Sequence, residues 1–315
     1  MVKGKFVKGF DRSLKMNNKK KNGKRNYQKR TEVSFHNMDD KSTLITRAED
    51  ILTQHKPNLS LIDIFKDTRN KSNIEYANDT TKAKRDVRVV DIEDDDVLMN
   101  MAKKQDISFA KCGTVRAGYN MVLEKKKFDK VAILNFADAL VPGGLVLYGA
   151  PTQEENICRC SNLYETLLEC PLYYNMNKLL GKSTYLDIMI YSPDVLVFKD
   201  DEEYKDINPV KMDVITCPAP SAFLREDKAE ELFVRRIRKI LIAAQKRGVN
   251  KIVLGAWGCG AFGQDPMVVG KAFARVLKEV NAFDKVVFAI KSSEGLDESY
   301  NYKAFKGAFD AEYKR

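Results

Sequence analysis

Histidine is nearly absent from this chain of 315 residues, which contains only His36 and His55. Both lie in a polar N-terminal segment, so neither a Ser-His or Cys-His nucleophile nor a histidine-based metal site is expected in a folded core. The six cysteines show no regular framework. Cys158 and Cys160 are interpreted as buried thiols, because no second thiolate pair stands at metal-binding spacing. If the protein is an enzyme, carboxyl groups carry out its proton transfers.

Long hydrophobic runs are absent as well, and no window approaches the roughly eighteen apolar residues that a membrane span requires. No basic segment leads into an apolar stretch and a cleavage site. The irregular cysteine pattern favours a reducing compartment. We therefore expect a soluble intracellular protein, nuclear or cytoplasmic and without membrane contact, whose hydrophobic content of 44% suffices for one large core.

The net charge of +10 belongs to one end of the chain. Residues 1–30 hold twelve Lys or Arg and a single acid, Asp11, which leaves a net charge of −1 for all other residues. Such a tail cannot bury enough apolar surface to fold alone. Three interpretations stay open: a nuclear-localisation signal around Lys19–Arg25, an arm that contacts polyanions, and a solubilising extension.

The pattern of apolar and polar residues changes near residue 86. Residues 31–85 are predicted to form a helical accessory segment, with one helix over residues 42–54 and a short apolar stretch over residues 59–65. Beyond it, residues 86–315 alternate between two patterns. Strands are predicted over 87–90, 130–136, 186–191, 195–198, 214–216, 251–254 and 286–290, and helices over 94–104, 114–127, 227–247 and 266–280. This alternation predicts an α/β fold with a mixed, mostly parallel central sheet and helices on both faces.

In such a sheet, ligands bind beyond the carboxyl ends of the strands. The loop of residues 255–263 leaves a predicted strand and leads to Asp265 and Pro266, a helix N-cap and first turn. Its glycines let backbone amides converge on a phosphate or diphosphate. Gly258, Gly260 and Gly263 also spell G-x-G-x-x-G, but no acidic residue closes the following strand, so a dinucleotide-binding dehydrogenase is disfavoured.

A second loop, PGGLVLYGAPTQEE, follows the strand predicted over residues 130–136 and ends in Gln153-Glu154-Glu155. Thr152 and Glu155 fit a T-x-x-E capping box, which would make the glutamate a helix cap. Both glycine-containing loops should nevertheless meet at one edge of the sheet. A carboxyl group beside an anionic ligand and a second carboxyl has a raised pKa, which suits a general acid.

Several ordered motifs resemble those of the microbial-type poly(ADP-ribose) glycohydrolases, which are macrodomain proteins. They are LNFADA at 134–139, PGG at 142–144, QEE at 153–155 with Cys158-Arg159, IYSPDV at 190–195, VITCPAP at 214–220 and GAWGCGAF at 255–262. The resemblance covers about residues 86–290. It implies a macrodomain-like fold and an enzyme that hydrolyses the ribose-ribose O-glycosidic bond of poly(ADP-ribose), free or on an ADP-ribosylated protein, and releases ADP-ribose. It implies no cofactor and no metal.

The resemblance also implies roles for individual residues. Glu155 would be the general acid that protonates the leaving ribose oxygen and then activates water, and Glu154 would orient the ribose. Substrate contacts are implied for Asn135, Asp138, Gly143, Gly144, Leu145, Gln153, Gly258, Cys259, Gly260, Ala261 and Phe262. The glycines with Ala261 would hold the diphosphate, and Phe262 would pack on the distal ribose. Adjacent glutamates are expected to point in different directions, unlike the flanking pair of an ordinary glycosidase.

Two positions depart from the family pattern. Leu145 replaces the third of three glycines, which is expected to hinder backbone approach to the diphosphate. Asp138 replaces an asparagine, which removes an amide donor and adds negative charge beside the glutamates. The alternative function is therefore a weakly active or non-catalytic ADP-ribose reader. For the adenine, Asp91 and Ile92 at the end of the first strand are the candidate contacts.

Overall fold

A mixed seven-stranded sheet forms the centre of the part of the chain that the structure describes. The structure is a computed structural model, and it describes residues 57–315 other than 94, 103, 221–225 and 293–298. The strands are β1 (Arg88–Val90), β2 (Asp106–Ala110), β3 (Val131–Phe136), β4 (Met189–Lys199), β5 (Asp206–Cys217), β6 (Lys251–Leu254) and β7 (Lys285–Ala289). Their order across the sheet is β1-β4-β5-β3-β6-β7-β2.

The sheet is parallel through its centre and antiparallel at one side. β5, β3, β6, β7 and β2 run parallel to one another, whereas β4 runs antiparallel to both β1 and β5. The carboxyl ends of β3, β5, β6, β7 and β2 therefore lie along one edge. The predicted fold class is confirmed.

Helices cover both faces of the sheet. They are α1 (Leu59–Asn73), α2 (Ala77–Asp86), α3 (Thr114–Leu123), α4 (Gln153–Cys160), α5 (Leu163–Leu167), α6 (Pro171–Leu180), α7 (Glu226–Lys246), α8 (Pro266–Glu279) and α9 (Tyr300–Tyr313). In β3, Ala132 and Leu134 face the core formed with α7, α8 and α9, and Val131 and Ile133 face the core formed with α1 and α3 to α6. Because side chains alternate along a strand, an uninterrupted apolar run is what a strand buried on both faces requires.

Some predicted elements differ from the structure. The helix predicted over residues 94–104 is wrong: its described residues form an irregular connection, in which the amides of Met101 and Ala102 both donate to the carbonyl of Asn281. The turn predicted between two strands at residues 192–194 is a bulge within one strand, β4. Pro193 is tolerated there because β1 pairs only with Met189 to Tyr191, so the missing amide proton breaks no β1 bond. β2 and α9 were not predicted.

The accessory segment is helical where the structure describes it, and it packs on α4. The short apolar stretch at 59–65 is the first half of α1, which Asn58 caps by accepting from the Leu61 amide at 3.2 Å. Thr68 donates to the carbonyl of Arg159 at 2.6 Å, which joins α1 to α4. The helix predicted over 42–54 and the basic tail lie outside the described residues. Among the helices described, none combines the length and the apolar character needed to cross a membrane.

Candidate active site

The side-chain amide of Gln153 fastens the N-terminus of α4 to the end of β3. Its Oε1 accepts from the amide of Phe136 at 2.8 Å, and its Nε2 donates to the carbonyl of Leu134 at 2.8 Å and to Thr114 Oγ1 at 3.1 Å. The amide group therefore pairs with β3 as a neighbouring strand would. This pairing places the next two residues, Glu154 and Glu155, at the carboxyl edge of the sheet. The family resemblance implies that Gln153 contacts the substrate. In the structure, its side chain bonds to β3 and Thr114 and so supports the two glutamates.

Glu154 is buried, with 2% of its surface exposed. Asn135 Nδ2 donates to its Oε1 at 3.1 Å, and the amide of Asp138 donates to its Oε2 at 2.7 Å. Burial raises the pKa of Glu154 well above its usual value, and the neighbouring charge of Glu155 raises it further. Asn135 and Glu154, predicted to act together on the ribose, are thus in direct contact.

Glu155 is also buried, with 5% exposed, and its carboxyl group faces the PGGL loop. The amide of Leu145 donates to its Oε1 at 2.9 Å, and the hydroxyl of Thr152 donates to its Oε2. Burial raises the pKa of Glu155, while the Thr152 hydroxyl, the Leu145 amide and the charge of Arg159 oppose that rise.

The capping-box interpretation of these residues is wrong. Thr152 is the N-cap residue of α4, but its side chain makes no capping bond to a helix amide. Its hydroxyl instead binds the carboxyl group of Glu155, whose other oxygen is held by Leu145 from outside the helix. A capping glutamate would reach back to the N-cap amide. The carboxyl group of Glu155 therefore does not cap the start of its own helix.

The PGGL loop comes close to both glutamates because two of its residues are glycine. Gly143 and Gly144 have φ of 68° and 57°, in the left-handed region that favours glycine. A Cβ on Gly144 would lie 2.5 Å from Glu155 Oε1 and 3.2 Å from Glu154 Oε2. The two glutamates were expected to point in different directions, but a carboxyl oxygen of each lies beside Gly144.

The two departures from the family pattern, Leu145 and Asp138, fit the local backbone without strain. Leu145 has φ of −98°, which is open to any residue. The amides of Gly144, Leu145 and Val146 donate to protein acceptors, at 3.1, 2.9 and 3.2 Å. Asp138 Oδ1 accepts from the amides of Leu140 and Val141 at 2.6 and 2.9 Å, so this oxygen shapes its own turn.

The loop after β6 differs because several of its amides make no hydrogen bond to the described residues. In the described part of the chain, the amides of Gly258, Gly260, Ala261 and Phe262 have no protein acceptor. Trp257, which is fully buried, anchors the loop by donating from Nε1 to the carbonyl of Cys217 at 3.1 Å. Converging amides at the start of a helix suit a phosphate group. These amides are available for a diphosphate, and the diphosphate loop stays a prediction.

Two further residues of this loop were singled out from the sequence. Cys259 is largely buried, and its carbonyl accepts from Asn301 Nδ2 at 3.1 Å. Phe262 is half-buried, and its ring centroid lies 6.2 Å from that of Tyr185. Tyr185 was missed, because nothing in the sequence around it marks a site. It has φ of 56°, an uncommon conformation for a residue with a side chain.

A cavity of about 440 Å³ opens farther along the same edge, at the ends of β2 and β7. Its lining includes Lys111, Cys112 and Gly113 after β2, Lys291 after β7, and Glu202 from the turn between β4 and β5. Sequence reasoning missed this cavity because it did not recognise β2.

The remaining residues named from the sequence lie outside the two glycine-containing loops. Asp91 and Ile92 follow β1, which ends the sheet on the side opposite β2, and Ile92 is buried. Cys158 and Cys160 are buried as predicted, and burial raises the pKa of both thiols well above its usual value.

Comparison with known proteins places these features in a family. Residues 59–200 match the family described as microbial-type PARG, catalytic domain, where PARG is poly(ADP-ribose) glycohydrolase. This match begins within the segment 31–85, which was expected to lie outside the resemblance. No curated protein matches the chain significantly.

Solved structures with the same fold include two bacterial poly(ADP-ribose) glycohydrolases. The enzyme from Thermomonospora curvata bound to the inhibitor ADP-HPD is 31% identical, with a TM-score of 0.71 over 80% of this chain and 100% of that one. The enzyme from Deinococcus radiodurans in complex with ADP-ribose is 29% identical, with a TM-score of 0.64 over 75% of this chain and 96% of that one.

Proposed function

Because this chain belongs to the microbial-type poly(ADP-ribose) glycohydrolase family, we propose that it hydrolyses the ribose-ribose O-glycosidic bonds of poly(ADP-ribose) with Glu155 as its general acid. The observation that carries this role is the environment of the Glu155 carboxyl group. It is buried, its pKa is raised, and its Oε1 lies 2.5 Å from the position that a Cβ on Gly144 would take. A carboxyl group in such a position holds its proton at pH values where an exposed glutamate is ionised.

In the proposed reaction, Glu155 gives its proton to the leaving ribose oxygen as the glycosidic C–O bond breaks. The anomeric carbon develops oxocarbenium character, and the carboxylate that forms at Glu155 stabilises that positive charge. The same carboxylate then removes a proton from the attacking water, which returns Glu155 to its acid form. Asn135 and the amide of Asp138 hold Glu154 in place to bind the ribose hydroxyls.

The order of the strands sets the direction of the substrate along the edge. β6 lies between β3, which leads to the glutamates, and β7 with β2, which border the cavity. A diphosphate on the amides of Gly258, Gly260, Ala261 and Phe262 would therefore stand between the reacting ribose and the adenosine. We assign the adenosine to the cavity at the ends of β2 and β7. Three strand spacings, or about 14 Å, separate β3 from β2 at the far side of this cavity.

Replacement of Glu155 tests this function. Glu155→Gln keeps the size of the side chain but has no proton to give, so release of ADP-ribose from poly(ADP-ribose) should stop while ADP-ribose binding stays measurable by calorimetry. Glu169→Gln is the control, since Glu169 is an exposed glutamate paired with Lys84 at 2.9 Å. Wild-type protein that binds ADP-ribose saturably but forms no product on long incubation would identify a reader instead.

The basic tail has a proposed role of its own. We propose that residues 1–30, with twelve Lys or Arg, attract the anionic polymer to the catalytic domain. Removal of these residues should weaken polymer binding most at low salt, and the difference should shrink as salt is added. Unchanged affinity at every salt concentration would leave the tail as a targeting or solubilising device.

A further inference from the structure

The turn between β4 and β5, residues 200–205, contacts the two helices that support the glutamates. The carboxylate of Asp200 shapes it by accepting from the amides of Glu202, Glu203 and Lys205 at 2.9, 2.8 and 2.7 Å. Such a pattern fixes the backbone of the turn. The turn can therefore act as a rigid support for the elements that it touches.

On one side, the turn touches α4 directly after the two glutamates. Asn156 Nδ2 donates to the carbonyl of Asp201 at 3.4 Å, and Cys160 Sγ donates to the carbonyl of Asp200 at 3.3 Å. Arg159 Nε donates to the hydroxyl of Tyr204 at 3.3 Å. Three side chains of α4 are thus held by one turn.

On the other side, Asp201 occupies the N-terminus of α3. Gly113 is the N-cap residue of this helix and offers no side-chain cap. A Cβ on Gly113 would lie 1.9 Å from Asp201 Oδ2, so the carboxylate takes the place of the missing side chain. Only 2% of Asp201 is exposed, and its Oδ1 has no hydrogen-bond partner among the described residues. Burying an oxygen without a hydrogen-bond partner costs free energy, so a structural role for Asp201 is expected.

The basis for that role lies one residue farther along α3. Thr114 Oγ1 accepts from Gln153 Nε2 at 3.1 Å, and Gln153 sets the position of the glutamates. We propose that Asp201 is a positioning residue for the hydrolytic reaction. It holds the first turn of α3 so that Thr114 and Gln153 keep Glu155 aligned. This inference rests on the proposed function, because it concerns the same general acid.

Substitutions at Asp201 separate positioning from simple stability. With poly(ADP-ribose) as substrate, and well below the melting temperature, Asp201→Ala should lower kcat about tenfold or more, since small displacements of catalytic groups cost up to about 100-fold. Asp201→Asn keeps an acceptor oxygen and should stay within about threefold of the wild type. Glu203→Ala, an exposed position in the same turn, serves as the matched control. A normal kcat in Asp201→Ala with a lowered melting temperature would overturn the proposal, as would equal losses in the alanine and asparagine variants.

Gly113→Ala provides a second, independent route to the same contact. Its new methyl group should push Asp201 aside and reproduce the loss of kcat about tenfold or more. In the Asp201→Ala background the overlap with Asp201 is gone, and the next neighbour, Lys291 Cε at 3.1 Å, belongs to a flexible side chain, so the same substitution should change kcat less than about twofold. Because Gly113 also lines the cavity assigned to the adenosine, effects on substrate binding are read separately from KM. Additive losses would contradict the proposal. An inactive wild-type protein would instead refute the proposed function, which keeps the two failures distinct.

Discussion

Gly144→Ala tests the close approach of the PGGL loop to the glutamates. The new Cβ would lie 2.5 Å from Glu155 Oε1, whereas ordinary contact needs about 3.4 Å, so the carboxyl group has to retreat by about 0.9 Å. That movement pulls Oε1 away from the amide of Leu145, now at 2.9 Å. Since a displacement of about 1 Å can cost about 100-fold in rate, we expect kcat to fall by about that factor.

The same substitution also strains the backbone, and a control separates the two effects. Gly144 has φ of 57°, where a residue with a side chain costs about 1–2 kcal/mol, and overpacking adds about 1–3 kcal/mol. Gly248 has φ of 77° but nothing within 4 Å of the corresponding Cβ position. Gly248→Ala should therefore lose about 1–2 kcal/mol of stability and no activity.

The assay is steady-state release of ADP-ribose from poly(ADP-ribose), with chemical denaturation to measure the free energy of unfolding. The expected result is a large loss of kcat in Gly144→Ala alone. If both glycine variants showed the same kcat, the proposed contact between the loop and Glu155 would not govern the reaction. If both lost stability equally, the steric overlap at Gly144 would be relieved without cost.

Three further predictions concern the same edge of the sheet. Glu154→Gln should raise the free energy of unfolding at pH 8 but hardly at pH 4. Because burial raises the pKa of Glu154, the wild type loses stability as pH rises from 4.5 through the higher folded value, and denaturation at several pH values measures this decline. Thr152→Val should shift the basic limb of the profile of kcat/KM against pH to higher pH, since the hydroxyl lowers the pKa of Glu155. An unchanged limb would show that it reports the ionisation of a group other than Glu155. Trp257→Phe removes one of the two donors that the described residues provide to the carbonyl of Cys217 and leaves the amide of Ala137 at 3.3 Å, which should cost about 0.5–1.5 kcal/mol and weaken ADP-ribose binding in calorimetry; unchanged affinity would show that the loop keeps its shape without the Trp257 bond.

The sequence was sufficient to predict the central strands, because their apolar residues form short uninterrupted runs. β6 occupies the predicted residues Lys251–Leu254, and α8 begins at Pro266 after the Asp265 cap. β2 was missed since, as an edge strand, its residues are exposed or only half-buried and show no apolar run. The helix predicted over 94–104 failed because tertiary hydrogen bonds to Asn281 outweighed its periodicity.

The candidate site was predicted in part for the same reason. Gly144 and the paired glutamates are visible as residue types at a short spacing. The partners of Gln153 and Asp201 are not, because they depend on contacts between segments far apart in the chain. Residue patterns indicate where a loop bends, whereas the strand order of the sheet determines which groups that loop contacts.

The contact between Gly149 and Asn58 limits how far the protein can be shortened. A Cβ on Gly149 would lie 2.4 Å from the carbonyl oxygen of Asn58, whose amide in turn donates to Tyr148 at 3.4 Å. The chain entering α1 thus braces the far side of the loop that bears Leu145. A truncated protein starting at residue 86 would lose that brace together with the bond from Thr68 to Arg159. Recombinant fragments intended for activity should accordingly retain everything from Pro57 onward.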